Sequence, residues 1–118
     1  MIRVAIFRPG EEQPEFGFID ESLPALQALV GGYIEAVQLS RDLVLICNEE
    51  GKLLGLPGTR FIIGAQIRDL VCGTFFVCRS KAPNFASLQP EDEIRLNEWS
   101  TKTMWDLNAG VLMISSVM

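Results

Sequence analysis

Four polar side chains stand where the chain reverses or loses regularity: Tyr33, Glu49, Lys52 and Arg60. Arg60 ends the stretch Gly55-Leu56-Pro57-Gly58-Thr59-Arg60, whose glycines and proline break any regular element. A guanidinium there offers a planar fork of donors to a carboxylate or phosphate. Lys52 adds a second cation, Glu49 an acceptor and Tyr33 an aromatic face for a ring. Together they form a candidate binding site for a small anionic, nucleotide-like ligand. Arg60 has a competing internal use, because an irregular loop leaves carbonyls that need donors, and it can tie down its own loop. Paired carboxylates are the other chemistry on offer. Glu35, Glu49, Glu50 and Asp69 are the candidates, and they define the enzyme alternative, acid–base work on a nucleotide or phosphoester.

Other catalytic classes lose their usual parts. The chain contains no histidine, so a serine or cysteine nucleophile lacks its common base, and the commonest metal ligand is missing. No phosphate-binding glycine loop, zinc-protease motif or nucleophile elbow occurs. Cys47, Cys72 and Cys78 form no CxxC pair, and each lies in an apolar run, as buried reduced thiols do. No catalytic residue, metal or cofactor is therefore expected, and the protein reads as a binder and not an enzyme.

Charge narrows the partners. Lys and Arg number 10 against 15 Asp and Glu, a net charge of −5. Direct nucleic-acid binding needs a basic surface and is not expected. The acidic excess falls in the first half, at Glu11, Glu12, Glu15, Asp20 and Glu21 and again at Glu49 and Glu50. It serves solubility, or it presents a negative face to a basic groove on another protein. No uncharged apolar run approaches the ~20 residues that span a bilayer, and Met1 to Arg8 alternates charge with apolar residues, unlike a secretion signal. No membrane association and a cytoplasmic location are the expectations.

These residues need a scaffold, and with 118 residues, 48% of them hydrophobic, the chain can build a core. Residues 2–8 and 15–20 read as two strands joined by the turn 9–14. Ser22 caps a helix carrying Leu23, Leu26, Leu29 and Val30 on its buried face, and Gly31-Gly32 stops it. Residues 33–39 alternate as a strand. Leu43 to Cys47 is a continuous apolar run, the mark of a strand covered on both faces. Asn48-Glu49-Glu50-Gly51 predicts a hairpin turn closed by a left-handed glycine, with Lys52-Leu53-Leu54 returning as a short strand. Residues 61–63 and 67–78 are strand-like, with Gly73 as a bulge or a point of close approach. A second helix over 87–104 starts on Glu91-Asp92-Glu93, whose charges suit its N-terminal end, and turns Ile94, Leu96, Trp99 and Met104 inward. The apolar tail 110–118 completes the core or joins subunits, and a homo-oligomer through this tail is expected. The fold class is α+β, one domain over 1–118, with a mostly antiparallel sheet of five to seven strands and two helices packed on it.

The motifs Val30-Gly31-Gly32-Tyr33-Ile34-Glu35, Asn48-Glu49-Glu50-Gly51-Lys52-Leu53, Gly55-Leu56-Pro57 with Arg60, and Gly73-Thr74-Phe75-Phe76-Val77 occur in series across residues 1–80. In this order they resemble a family of small proteins of unknown function from bacteriophages, mobile elements and gut bacteria. The family pattern carries Asn before the loop Arg, where this chain has Thr59. The resemblance implies a habitat, the inside of a bacterial host cell; the missing catalytic chemistry and the irregular basic loop add the expectation of a binding protein. Its expected role is interference with host defence or regulation, by engaging a host protein or by sequestering the anionic ligand. A structural or assembly protein without ligand is the third alternative.

Overall fold

The computed structural model describes residues 1–63, 68–99, 103–106 and 110–115. In chain order the elements are β1 (Ile2–Phe7), β2 (Glu15–Ile19), α1 (Leu23–Val30), β3 (Ile34–Gln38), β4 (Leu43–Asn48), β5 (Gly58–Ile63), β6 (Arg68–Cys72), β7 (Phe75–Lys81), β8 (Asn84–Ala86), α2 (Pro90–Trp99), β9 (Thr103–Asp106) and β10 (Gly110–Ser115). The fold is α+β. Six strands form an antiparallel sheet in the order β2-β1-β7-β4-β3, with β8 also paired to β7. A smaller sheet runs β6-β5-β10-β9, its β5–β10 pair parallel.

The continuous apolar run at 43–47 places β4 inside the larger sheet, and every residue of that strand is buried. Alternation then makes two cores. On one face Phe7, Leu45, Phe75 and Val77 pack against Ile62 and Val71 of the smaller sheet and Leu96 and Trp99 of α2. Phe7 stacks on Phe75 with centroids 4.8 Å apart and meets the edge of Trp99 at 5.7 Å. On the other face Val4, Ile46 and Phe76 lie under Leu26 and Val30 of α1.

The first helix forms where expected. Ser22 Oγ accepts from the Ala25 N–H, and Gly31, at φ 82°, donates its N–H to the Gln27 carbonyl at 2.8 Å. Its buried face is narrower than predicted, because Leu23 is more than half exposed.

Five local expectations are corrected. Gly58, Thr59 and Arg60 belong not to an irregular loop but to β5, whose register with β6 shifts between Gly58 and Arg60. Residues 52–54 are no strand: Leu54, Gly55 and Leu56 donate back to the carbonyls of Glu50, Lys52 and Gly51, so the segment coils into a tight turn. The left-handed glycine of that turn is Gly55, at φ 69°, and not Gly51. Of the two readings of Gly73, the close approach holds, since a Cβ there would lie 2.8 Å from Leu56 Cδ1, and the bulge within one strand does not. At φ 87° Gly73 carries the chain from β6 in the smaller sheet to β7 in the larger. The second helix ends at Trp99, and residues 103–106 pair as β9, so its span is shorter than 87–104. Its buried residues are Asp92, Leu96 and Trp99, whereas Ile94 faces solvent. The tail strand β10 finds its pairing partners, β5 and β9, within its own chain; residues 116–118 lie outside the described residues.

Candidate functional site

The turn after β4 is pinned from beneath by Asn48, a buried side chain. Its Nδ2 donates to the Val30 carbonyl at the end of α1, and its Oδ1 accepts from the Glu50 N–H at 2.8 Å. The Glu49 N–H donates to the Tyr33 carbonyl at 2.9 Å, which sets Tyr33 beside the base of the turn. On its far side the turn presses on β6. A Cβ built on Gly51 would lie 2.6 Å from the Cys72 carbonyl oxygen, closer than carbon and oxygen tolerate. Gly51 is thus needed for close approach, not for a left-handed backbone. Gly51→Ala forces the turn off β6 and is expected to cost about 1–3 kcal/mol, read as a lowered urea midpoint with unchanged slope.

Between the turn, β3, β4 and β6 lies a cleft of about 340 Å³. Glu35, Glu49, Glu50 and Asp69, the sequence's four candidate carboxylates, all line it, together with Lys52 and Cys47. Lys52 Nζ spans the cleft to an ion pair with Asp69 Oδ1, and that oxygen also accepts from the Leu70 N–H at 2.8 Å. The hydrogen bond from Lys52 holds the Asp69 carboxyl below its usual range; burial opposes it, and the Leu70 N–H and the charge of Lys52 assist. A carboxylate held this way is a poor proton donor. Burial, reinforced by the charge of Glu35, pushes the Cys47 thiol up to about 11, so it stays protonated and unreactive near neutral pH. Cys78, buried in the other core, is pushed up to about 12 by burial.

Of the four predicted ligand-binding residues, Glu49 and Lys52 share this cleft and Tyr33 adjoins it. Arg60 is elsewhere. Its side chain is fully buried over the ring of Phe7, with the guanidinium carbon 5.5 Å from the ring centroid. The fork is occupied by the protein's own backbone: Nη1 donates to the Thr59 carbonyl, and Nη2 donates to those of Glu11 and Glu12, each at 2.8 Å. Burial lowers its pKa, and the charge of Glu12 opposes that shift. Arg60 thereby ties the turn between β1 and β2 to the smaller sheet; its use is internal, but apart from the Thr59 carbonyl its acceptors lie on a distant turn and not on its own loop. Thr59, at the position where the resemblance expects Asn, donates its hydroxyl to the Gly73 carbonyl at 2.5 Å and is likewise committed inside.

The surface around the cleft is apolar where sequence reasoning placed a strand. Leu53 is 86% exposed, Leu54 57% and Tyr33 66%. Nothing in the pattern Lys52-Leu53-Leu54 distinguishes a buried strand from a turn that displays its leucines. The signal lay in Gly51 and Gly55, which bracket the segment. Among the described residues no group of metal-ligating side chains is clustered, and no helix is long and apolar enough to cross a membrane.

No curated protein and no solved structure matches the chain significantly. Residues 2–102, nearly all of the scaffold that builds the cleft, match the domain of unknown function DUF3846, and the protein belongs to that family.

Proposed function

We propose that this is a non-catalytic binding protein that engages another protein of the bacterial cytoplasm through the turn after β4 and the adjoining Tyr33. The observation that carries the reading is the display of Leu53 and Leu54, two aliphatic side chains held in water by a turn with three internal backbone bonds and a buried Asn48 beneath it. A rigid, clustered apolar display beside charged groups is the usual form of a protein-docking surface. Capture of a small anion has weaker support, since Arg60 is committed to backbone carbonyls and Lys52 to Asp69. An enzyme working through these carboxylates needs one of raised pKa with a cation such as Arg60 beside it, whereas Asp69 is shifted the opposite way and Arg60 lies outside the cleft. The likeness to small proteins of phages and mobile elements supports interference with host defence or regulation as the purpose of the binding.

Site-specific photocrosslinking in bacterial cells tests this. A photoreactive residue in place of Leu53 is expected to form a discrete adduct with one host protein. The same residue in place of Ile94, which is 62% exposed on α2, serves as the control. Equal adduct patterns from the two positions, or none from either, contradict the reading.

A further inference from the structure

We propose that the partner contributes an extended segment that adds to the free edge of β3, and that this segment alternates basic and apolar residues. The inference rests on the binding reading above and specifies the chemistry of the partner. Among the described residues β3 is the end strand of the larger sheet, paired only with β4. The bonds from Glu49 N–H to the Tyr33 carbonyl and from Leu39 N–H to the Leu43 carbonyl fix the phase of that pairing. Backbone groups of Tyr33, Glu35, Val37 and Leu39 point toward β4, so the N–H and C=O groups of Ile34, Ala36 and Gln38 point outward.

Edges of this kind are usually blunted by lysine, proline or a bulge. β3 carries none of these, and its register with β4 runs without a shift. β6, across the cleft, shows the contrast: its Leu70 N–H is already occupied by the Asp69 carboxylate.

The two faces of β3 open on different surroundings. Ile34 lines a cleft of about 540 Å³ with Leu23, Leu26 and Phe85, where Glu21 and Lys81 also reach. Glu35, the next residue, lines the cleft that holds Glu49, Glu50 and Asp69. A strand laid against β3 alternates its side chains in the same way. One set meets Leu23, Leu26 and Ile34, and the other meets the carboxylates. Opposite charges and paired apolar side chains stabilise neighbouring strands, while like charges oppose them. The incoming segment must therefore be basic on the Glu35 face and apolar on the Ile34 face. A second copy of this chain does not meet that requirement through β3, whose one charged residue is Glu35.

The test is an NMR titration of the full-length protein with the capped peptide Val-Lys-Val-Lys-Val-Lys-Val. Saturable shifts of the Ile34, Ala36 and Gln38 amides are expected. Replacing Lys by Glu, or methylating alternate peptide nitrogens, is expected to weaken binding about tenfold or more. Glu35→Lys should do the same. Ala36→Pro removes only an outward donor, leaves the β4 ladder intact, and is expected to abolish binding. The N-methylated peptide gives the same information if that variant misfolds. Equal affinity for the Lys and Glu peptides, indifference to N-methylation, or shifts centred on β2 would overturn the proposal. A crosslink at position 53 that survives such a result leaves the binding reading standing and removes strand addition alone.

Discussion

Arg60→Ala is expected to lower the free energy of unfolding by about 3–5 kcal/mol, from the loss of charge-assisted hydrogen bonds to backbone carbonyls and the void left by a large buried side chain. Three carbonyls lose a donor, Phe7 loses its cationic neighbour, and a fully buried side chain leaves a void. Arg60→Lys is expected to recover little, because a single ammonium on a flexible stem cannot span the Thr59 carbonyl on one side and those of Glu11 and Glu12 on the other. Urea unfolding of the three proteins measures this. An Arg held for a ligand behaves in the opposite way: its removal leaves the free protein unchanged or more stable, and only binding suffers. A loss under 0.5 kcal/mol for Arg60→Ala would assign the residue to a ligand after all.

Asp92→Asn carries the second large effect, about 3 kcal/mol of destabilisation. Asp92 is fully buried at the start of α2, where it accepts a two-point bond from Arg79 at 2.7 and 3.1 Å and the Gln89 N–H at 2.7 Å. Burial alone would raise its pKa. The hydrogen bonds from Arg79 and Gln89 and the charges of Arg79 and Arg95 outweigh that and hold it below the ordinary carboxylate range. The pH dependence follows in sign. A carboxyl depressed in the folded state contributes stability above its unfolded pKa of about 3.9 and loses it as pH falls through the lower folded value. Wild-type protein is therefore expected to lose stability more steeply than Asp92→Asn below about pH 4. Stability measured from pH 7 down to pH 2 checks this, and parallel slopes for the two proteins would refute it.

Legibility in the sequence tracked how local each cause is. The run 43–47 announced a doubly covered strand because burial on both faces writes a continuous apolar stretch, and β4 is that strand. Ser22 and Gly31 bounded α1 because caps act within a turn of the helix. Three features depended on contacts across the chain and were less legible. Arg60 was recognisable as a fork, but its acceptors at Glu11 and Glu12 lie on a turn far back in the sequence. Gly73 was legible as a point of close approach, but the uninterrupted apolar flanks hid that they belong to different sheets. The carboxylates were identified by type, yet only the approach of β6 to the turn brings Asp69 to Glu35, Glu49 and Glu50. Leu53 and Leu54 misled because an apolar pair predicts burial, and here the pair is on display.

The binding account is tested most directly by native mass spectrometry of the protein isolated from bacterial cells, beside a Leu53→Asp, Leu54→Asp double variant. Both substitutions lie on the surface and are expected to change stability by no more than about 0.5 kcal/mol each. The account predicts a heavier species of fixed stoichiometry for the wild type, reduced to the free chain in the variant. The same heavier species in both proteins, or only the free chain in both, would contradict it.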